Sequence, residues 1–154
     1  MTALPQAGSK APDFALPSDS GSVVHLADFK GKKVVLYFYP KDDTEGCTVE
    51  ACEFRDAWAQ VRKTGAVVLG VSPDGTASHE KFRRKFDLPF PLLADLDHTV
   101  AERYGVWGEK SMFGRKYFGV IRTTFVIDEV GRIAKVFERV RPSGHAARVL
   151  EALR

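Results

Sequence analysis

The chain carries two cysteines, Cys47 and Cys52, separated by four residues. In a reducing compartment such a pair is not a permanent staple; disulfides there are transient and serve catalysis or redox sensing. Cys47 follows Gly46 at the end of a polar loop, Pro40-Lys41-Asp42-Asp43-Thr44-Glu45-Gly46, just before a helical pattern begins. A thiol in the first turn of a helix faces unpaired backbone N–H groups and the positive end of the helix dipole, and both favour the reactive thiolate. Ionisation alone is a limited lever. An ordinary cysteine is roughly 3% thiolate at pH 7, so complete ionisation gains only about 30-fold. Catalysis at such a thiol also needs donors aimed at the charge that develops on a leaving atom.

Cys52 adds a geometric constraint. Two residues at i, i+5 on one helix are about 140° apart around the axis and about 7.5 Å apart along it, so their Cα atoms lie roughly 8 to 9 Å apart. A disulfide needs less than about 7 Å. If one helix holds both thiols, they can bond only after part of it unwinds. The spacing thus predicts a switch: helix intact when reduced, locally open when oxidised. On its own, a helical cysteine is more often a small buried hydrophobe.

The elements that must position these thiols read as alternating strands and helices. Val34 to Tyr39 is apolar throughout and stops at Pro40, as expected of a strand buried on both faces. Phe54, Ala57, Trp58 and Val61 share a helical face, and Gly65 ends that helix. Val67 to Ser72 is a second buried strand, and Thr76 to Phe86 a second helix. Pro91 to Ala94 is a short strand and Thr99 to Tyr104 a short helix. Trp107 to Phe118 reads as an aromatic, glycine-containing loop. Thr123 to Asp128 and Ile133 to Phe137 form a hairpin, followed by a last helix over about Ser143 to Leu153. Residues 1–33 read as an irregular lead-in, with Val23 to Leu26 as a short edge strand. Alternation implies parallel crossovers and the hairpin adds antiparallel pairing. The predicted architecture is α/β, a central mixed sheet flanked by helices on both faces, in a single domain spanning residues 1–154.

The segment from Pro40 to Cys47 matches the pattern P-x-x-x-T-x-x-C and resembles the peroxiredoxins. With Thr48-Val49-Glu50-Ala51-Cys52-Glu53-Phe54-Arg55-Asp56 it is similar to the peroxiredoxin Q branch, also called bacterioferritin comigratory protein. Gly8 to Phe14, Trp107 to Lys110 and Ile121 to Asp128 resemble further landmarks of that family, so the likeness runs along nearly the whole chain. It implies a thioredoxin-like fold and reduction of hydrogen peroxide and organic hydroperoxides, with no metal or cofactor. Position by position it implies Cys47 as the peroxidatic nucleophile, Thr44 as a hydroxyl for the peroxide oxygens, and Pro40 as a cover that shields the thiolate. It implies Arg122 as the group that holds the thiolate and polarises the peroxide. Cys52 corresponds to the resolving cysteine, and thioredoxin or a similar dithiol to the reductant. The residue types suit these roles: a guanidinium offers fixed donors and a permanent charge, a threonine hydroxyl both donates and accepts, and a sulfenic acid condenses with a nearby thiol.

Other signals argue against other functions. The net charge is +3 with no basic stripe, which disfavours nucleic-acid binding. No apolar stretch is long enough to cross a bilayer, and the first residues lack the apolar core of a signal peptide, so a cytoplasmic location is expected. His25, His79, His98 and His145 are scattered and none neighbours a cysteine, so no histidine or zinc site is predicted. Gly70 to Thr76 reads as an ordinary strand-to-helix turn. Asp95-Leu96-Asp97 lacks the rest of a calcium loop. The cluster of Trp107, Met112, Phe113, Tyr117 and Phe118 reads as core packing, or as an apolar rim favouring organic hydroperoxides. A dithiol disulfide reductase would carry C-x-x-C, which this chain lacks. A non-enzymatic redox switch would share the disulfide without turnover. Both cysteines lie on one chain, so a monomer suffices.

Overall fold

The computed structural model describes residues 3–154. The apolar run becomes β3 (Lys33–Phe38), the middle strand of a five-stranded sheet. Its neighbours are β4 (Ala66–Ser72), parallel to it, and β8 (Thr123–Ile127), antiparallel to it. β5 (Leu92–Ala94) adds a parallel edge beyond β4, and β9 (Ile133–Phe137) an antiparallel edge beyond β8. The predicted mixed sheet is thus present, with parallel β3, β4 and β5 and an antiparallel β8–β9 hairpin as expected; the antiparallel pairing of β8 with β3 was not expected from the alternation of strands and helices.

Alternation along β3 divides the core. Leu36 and Phe38 enter one apolar cluster with Leu69, Phe125 and Tyr104; Val35, Tyr37 and Tyr39 enter another with Phe54, Phe90 and Val149. The second face is covered by α1 (Glu45–Asp56), α2 (Trp58–Lys63), α3 (Thr76–Lys85) and α5 (His145–Leu153). The first is covered by α4 (Thr99–Arg103) and the lead-in, which is more ordered than its sequence implies. β1 (Ala15–Pro17) and β2 (Val23–His25) pair as a separate ribbon, and a 3₁₀ turn (Leu26–Phe29) follows.

Three expectations are corrected. The helix expected to reach Gly65 is broken at Ala57, whose φ of −90° and ψ of 1° separate α1 from α2. The expected loop from Trp107 to Phe118 is a hairpin, β6 (Trp107–Met112) with β7 (Arg115–Val120), turning at Phe113 and Gly114, both with positive φ. Met112, Phe113, Tyr117 and Phe118 are exposed while Trp107 packs partly against the core, so no regular inward apolar alternation signalled a strand. The last helix starts at His145 rather than Ser143. Among the described residues no helix is long and apolar enough to cross a membrane.

Candidate functional site

The register of β8 against β3 decides what meets Cys47. Phe38 pairs with Thr123, so Arg122 lies beside the carboxyl end of β3, where the loop to α1 departs. α1 begins at Glu45, placing Cys47 in its first turn as expected. Arg122 then spans two residues of that helix. Its Nη2 donates to Cys47 Sγ at 3.3 Å and its Nη1 donates to Glu50 Oε1 at 2.6 Å. The guanidinium is 14% exposed and the Glu50 side chain 0%, so the pair is charge-assisted and nearly dry. Burial pulls the Arg122 pKa down, but the facing Glu50 and Cys47 outweigh it and leave the pKa raised.

Sequence reasoning passed over Glu50. A signal was present: Cys47, Glu50, Ala51 and Phe54 fall at i, i+3, i+4 and i+7, and all four are buried. A carboxylate on the buried face of a helix needs a partner, and here that partner is Arg122. Burial dominates over the arginine and raises Glu50 to about 7. Its second oxygen, Oε2, makes no hydrogen bond and lies 4.0 Å from His145 Nε2. His145 Nε2 is 2.7 Å from Thr124 Oγ1, and burial with Arg148 and Arg122 lowers its pKa to about 4. The fold therefore brings a neutral histidine close to the Arg122–Glu50 pair, although it lies far from both cysteines in sequence.

Gly46 makes room for this contact. A Cβ there would sit 3.2 Å from Arg122 Nη2 and 3.2 Å from Pro142 Cγ. Lys110 of β6 is half-buried, donates to the Val120 carbonyl at 2.9 Å, and has its pKa lowered by burial and then by Arg122, with Cys47 opposing. Sequence reading gave Lys110 no role.

Thr44 precedes α1 in extended conformation and donates its hydroxyl to the Lys41 carbonyl at 2.9 Å. That commits its proton and leaves its oxygen as an acceptor. Pro40 and Thr44 line a cavity of about 450 Å³ with Pro73, Trp107, Lys110, Met112, Tyr117 and Phe118. The apolar rim is therefore built by the hairpin. Phe113 is not part of it: it projects from the turn and is 99% exposed. Cys47 is 1% exposed, whereas Cys52 is partly exposed, and both are free thiols. Both lie on α1, so the helix-geometry barrier to a disulfide applies in this state. Burial raises the Cys52 pKa, with Arg55 opposing.

Asp42, Asp74 and His79 bring three ligand-type atoms within 4.8 Å of one another. Each of these side chains is already engaged in hydrogen bonds with its neighbours, so the cluster does not call for an ion. Asp95, set aside above as a calcium ligand, accepts the N–H groups of Val100 and Ala101 in the first turn of α4.

The profile of the AhpC/TSA family matches residues 7–136. A protein of Coxiella burnetii named putative peroxiredoxin bcp is 55% identical over 148 residues, covering 96% of this chain and 98% of that one. The structure of a mutant of Xylella fastidiosa PrxQ superposes with a TM-score of 0.93 at 33% identity, covering 99% of this chain and 97% of that one. A structure of Xanthomonas campestris bacterioferritin comigratory protein, described as informing its alkyl peroxide reduction activity, gives a TM-score of 0.89 at 36% identity, with 96% and 97% covered. With the thioredoxin-like sheet and the thiol at the head of α1, these likenesses place the chain in the AhpC/TSA family, within its peroxiredoxin Q, or bacterioferritin comigratory protein, branch, as a thiol peroxidase.

Proposed function

We propose that Cys47 is the nucleophile that reduces the peroxide and that Cys52 resolves the product. The Cys47 thiolate attacks one peroxide oxygen and the O–O bond breaks. The sulfur becomes a sulfenic acid, and the other oxygen leaves as alkoxide or hydroxide and takes up a proton. Cys52 then attacks the sulfenic sulfur, releasing water and forming the Cys47–Cys52 disulfide within one chain. A dithiol reductant of the thioredoxin kind returns both thiols by exchange. The whole chain acts as one domain, a monomer suffices, and the cytoplasm supplies the reductant.

The observation that carries this reading is the 3.3 Å contact from Arg122 Nη2 to Cys47 Sγ, backed by Glu50. A fixed, desolvated cation beside the sulfur can stabilise both thiolate and departing oxyanion. Thr44 Oγ1, with its proton given to Lys41, is available to accept the peroxide O–H. Pro40, which lines the same cavity as Thr44, is assigned the role of shielding the thiolate from water. The rim of Trp107, Met112, Tyr117 and Phe118 favours organic hydroperoxides beside hydrogen peroxide, as the alkyl peroxide activity described for the X. campestris protein suggests.

The test is NADPH oxidation coupled through thioredoxin and its reductase, with wild type beside Cys47→Ser and Cys52→Ser. Turnover lost in Cys47→Ser, and slowed in Cys52→Ser with one fast oxidation retained, is expected. Undiminished turnover in Cys47→Ser overturns the assignment. For the rim, Phe118→Ala should lower kcat/KM for cumene hydroperoxide by about tenfold and leave hydrogen peroxide within about twofold; equal losses for both would remove it.

A further inference from the structure

Asp42 lies in the middle of the Pro40–Thr44 loop, yet its side chain points inward and the residue is 7% exposed. Its Oδ1 accepts the Tyr39 hydroxyl at 2.6 Å. Its Oδ2 accepts the Ser78 hydroxyl at 2.8 Å and lies 2.7 Å from His79 Nδ1. The far nitrogen of the same ring, His79 Nε2, lies 2.9 Å from the Leu93 carbonyl, which can only accept. Nε2 therefore donates to that strand carbonyl, and Nδ1 shares a hydrogen bond with the Asp42 carboxyl group. The Asp42 N–H donates to Asp74 Oδ2 at 2.8 Å, and Asp74 is itself held by the Ser72 hydroxyl at 2.6 Å. One loop residue is thus tied to Tyr39 just beyond β3, through Asp74 to the end of β4, to α3 and, through His79, to β5.

The residue beside it is strained. Asp43 has φ of 57°, a left-handed conformation that non-glycine residues adopt at a cost. Such conformations persist where the surroundings over-determine them. Surface loops are ordinarily the most mobile part of a domain; this one is anchored from the inside on one side of the strained residue, while Thr44 stands on the other.

We propose that Asp42 and His79 are positioning residues of the peroxide site, holding the Pro40–Thr44 loop so that the Thr44 hydroxyl and Pro40 stand at fixed places over Cys47. The proposal rests on the reading of Cys47 as nucleophile and Thr44 as peroxide acceptor. Neither Asp42 nor His79 touches substrate. A network that served folding alone would not act selectively on the peroxide step.

The experiment uses a Cys52→Ser parent, in which oxidation stops at the sulfenic acid. Stopped-flow tryptophan fluorescence reads the rate of Cys47 oxidation by hydrogen peroxide, and a parallel assay reads its alkylation by iodoacetamide, which needs no peroxide acceptor. In Asp42→Asn and His79→Leu the peroxide rate should fall about 10- to 100-fold while alkylation stays within about threefold. His79→Asn, which keeps a donor toward Asp42, should recover part of the loss. Tyr39→Phe removes a single hydroxyl from the network and provides the test if the stronger variants do not fold, with a fall of about fivefold expected. Folded variants that oxidise at the parent rate overturn the proposal. So does a parallel fall in alkylation, which would mean that α1 itself had shifted. A Cys47→Ser control separates the two readings: peroxide-dependent oxidation surviving there would fault the nucleophile assignment and not the network.

Discussion

The two thiols on α1 differ in every respect that their surroundings control. Cys47 is 1% exposed, in the first turn, with a guanidinium on its sulfur and a strained, anchored loop before it. Cys52 is partly exposed, mid-helix, its pKa raised by burial, and among the described residues none forms a hydrogen bond to its sulfur. Five residues beyond it the helix is already interrupted at Ala57. On the function proposed above, one helix carries a thiol placed for attack and a second thiol that the intact helix holds away from it. The difference comes from what packs around each position, since the residue type is the same.

The comparison breaks most sharply at Arg122. Arg122→Lys keeps a positive charge but cannot span Cys47 and Glu50 together. Cys47 oxidation by peroxide should fall about 100-fold, while alkylation of Cys52 in a Cys47→Ser background should change by less than about twofold. Equal effects on the two thiols would show that the arginine acts on the helix as a whole. A smaller effect is expected from Gly46→Ala. The added Cβ would press on Arg122 Nη2 and Pro142 Cγ at 3.2 Å each. Glu50 fixes the arginine on its other side, so peroxide oxidation should slow about tenfold with stability changed by less than about 1 kcal/mol. Stopped-flow rates beside urea unfolding check this, and an unchanged oxidation rate would show that Pro142 yields instead.

The smallest effect concerns pH, and it sharpens the contrast from the Cys47 side. The folded pKa of Glu50 is about 7 against an ordinary 4.5. Between these values the folded chain keeps a proton that the unfolded chain has released, so the Glu50 contribution to stability declines as pH rises through that window. For His145 the folded pKa is about 4 against an ordinary 6.5. There the unfolded chain takes up the proton first, so stability is lost as pH falls from 6.5 toward 4. The two slopes oppose each other where the windows overlap. Glu50→Gln removes one of them, and unfolding free energy should then drop by about 1.4 kcal/mol per pH unit on acidification within the His145 window. A variant whose stability profile matches wild type across that range would contradict the opposed pair.

Patterns carried by neighbouring residues were legible in the sequence. Val34 to Phe38 had to be a doubly buried strand because no position in it is polar. The polar loop between that strand and a helical repeat had to put Cys47 near a helix start, and the offset to Cys52 made a disulfide incompatible with an intact helix. Resemblance to a family added Thr44, Pro40 and Arg122, whose residue types alone said little. The hairpin from Trp107 to Val120 was not legible, because Met112, Tyr117 and Phe118 are exposed around a cavity and only its ends, Trp107 and Val120, pack on the core.

What only the tertiary structure decided was long-range pairing. Arg122 is 75 residues from Cys47 and 72 from Glu50. The register of β8 on β3 and the packing of α1 on the sheet bring them together, and both depend on pairings between segments distant in the sequence. Asp42 and His79 are 37 residues apart, each unremarkable where it stands in the sequence. Local propensities determine which segments become strands and helices, since those depend on neighbours a few residues away. Buried polar groups must instead find partners wherever the fold delivers them, and so the environment of Cys47 emerged only once the sheet had closed.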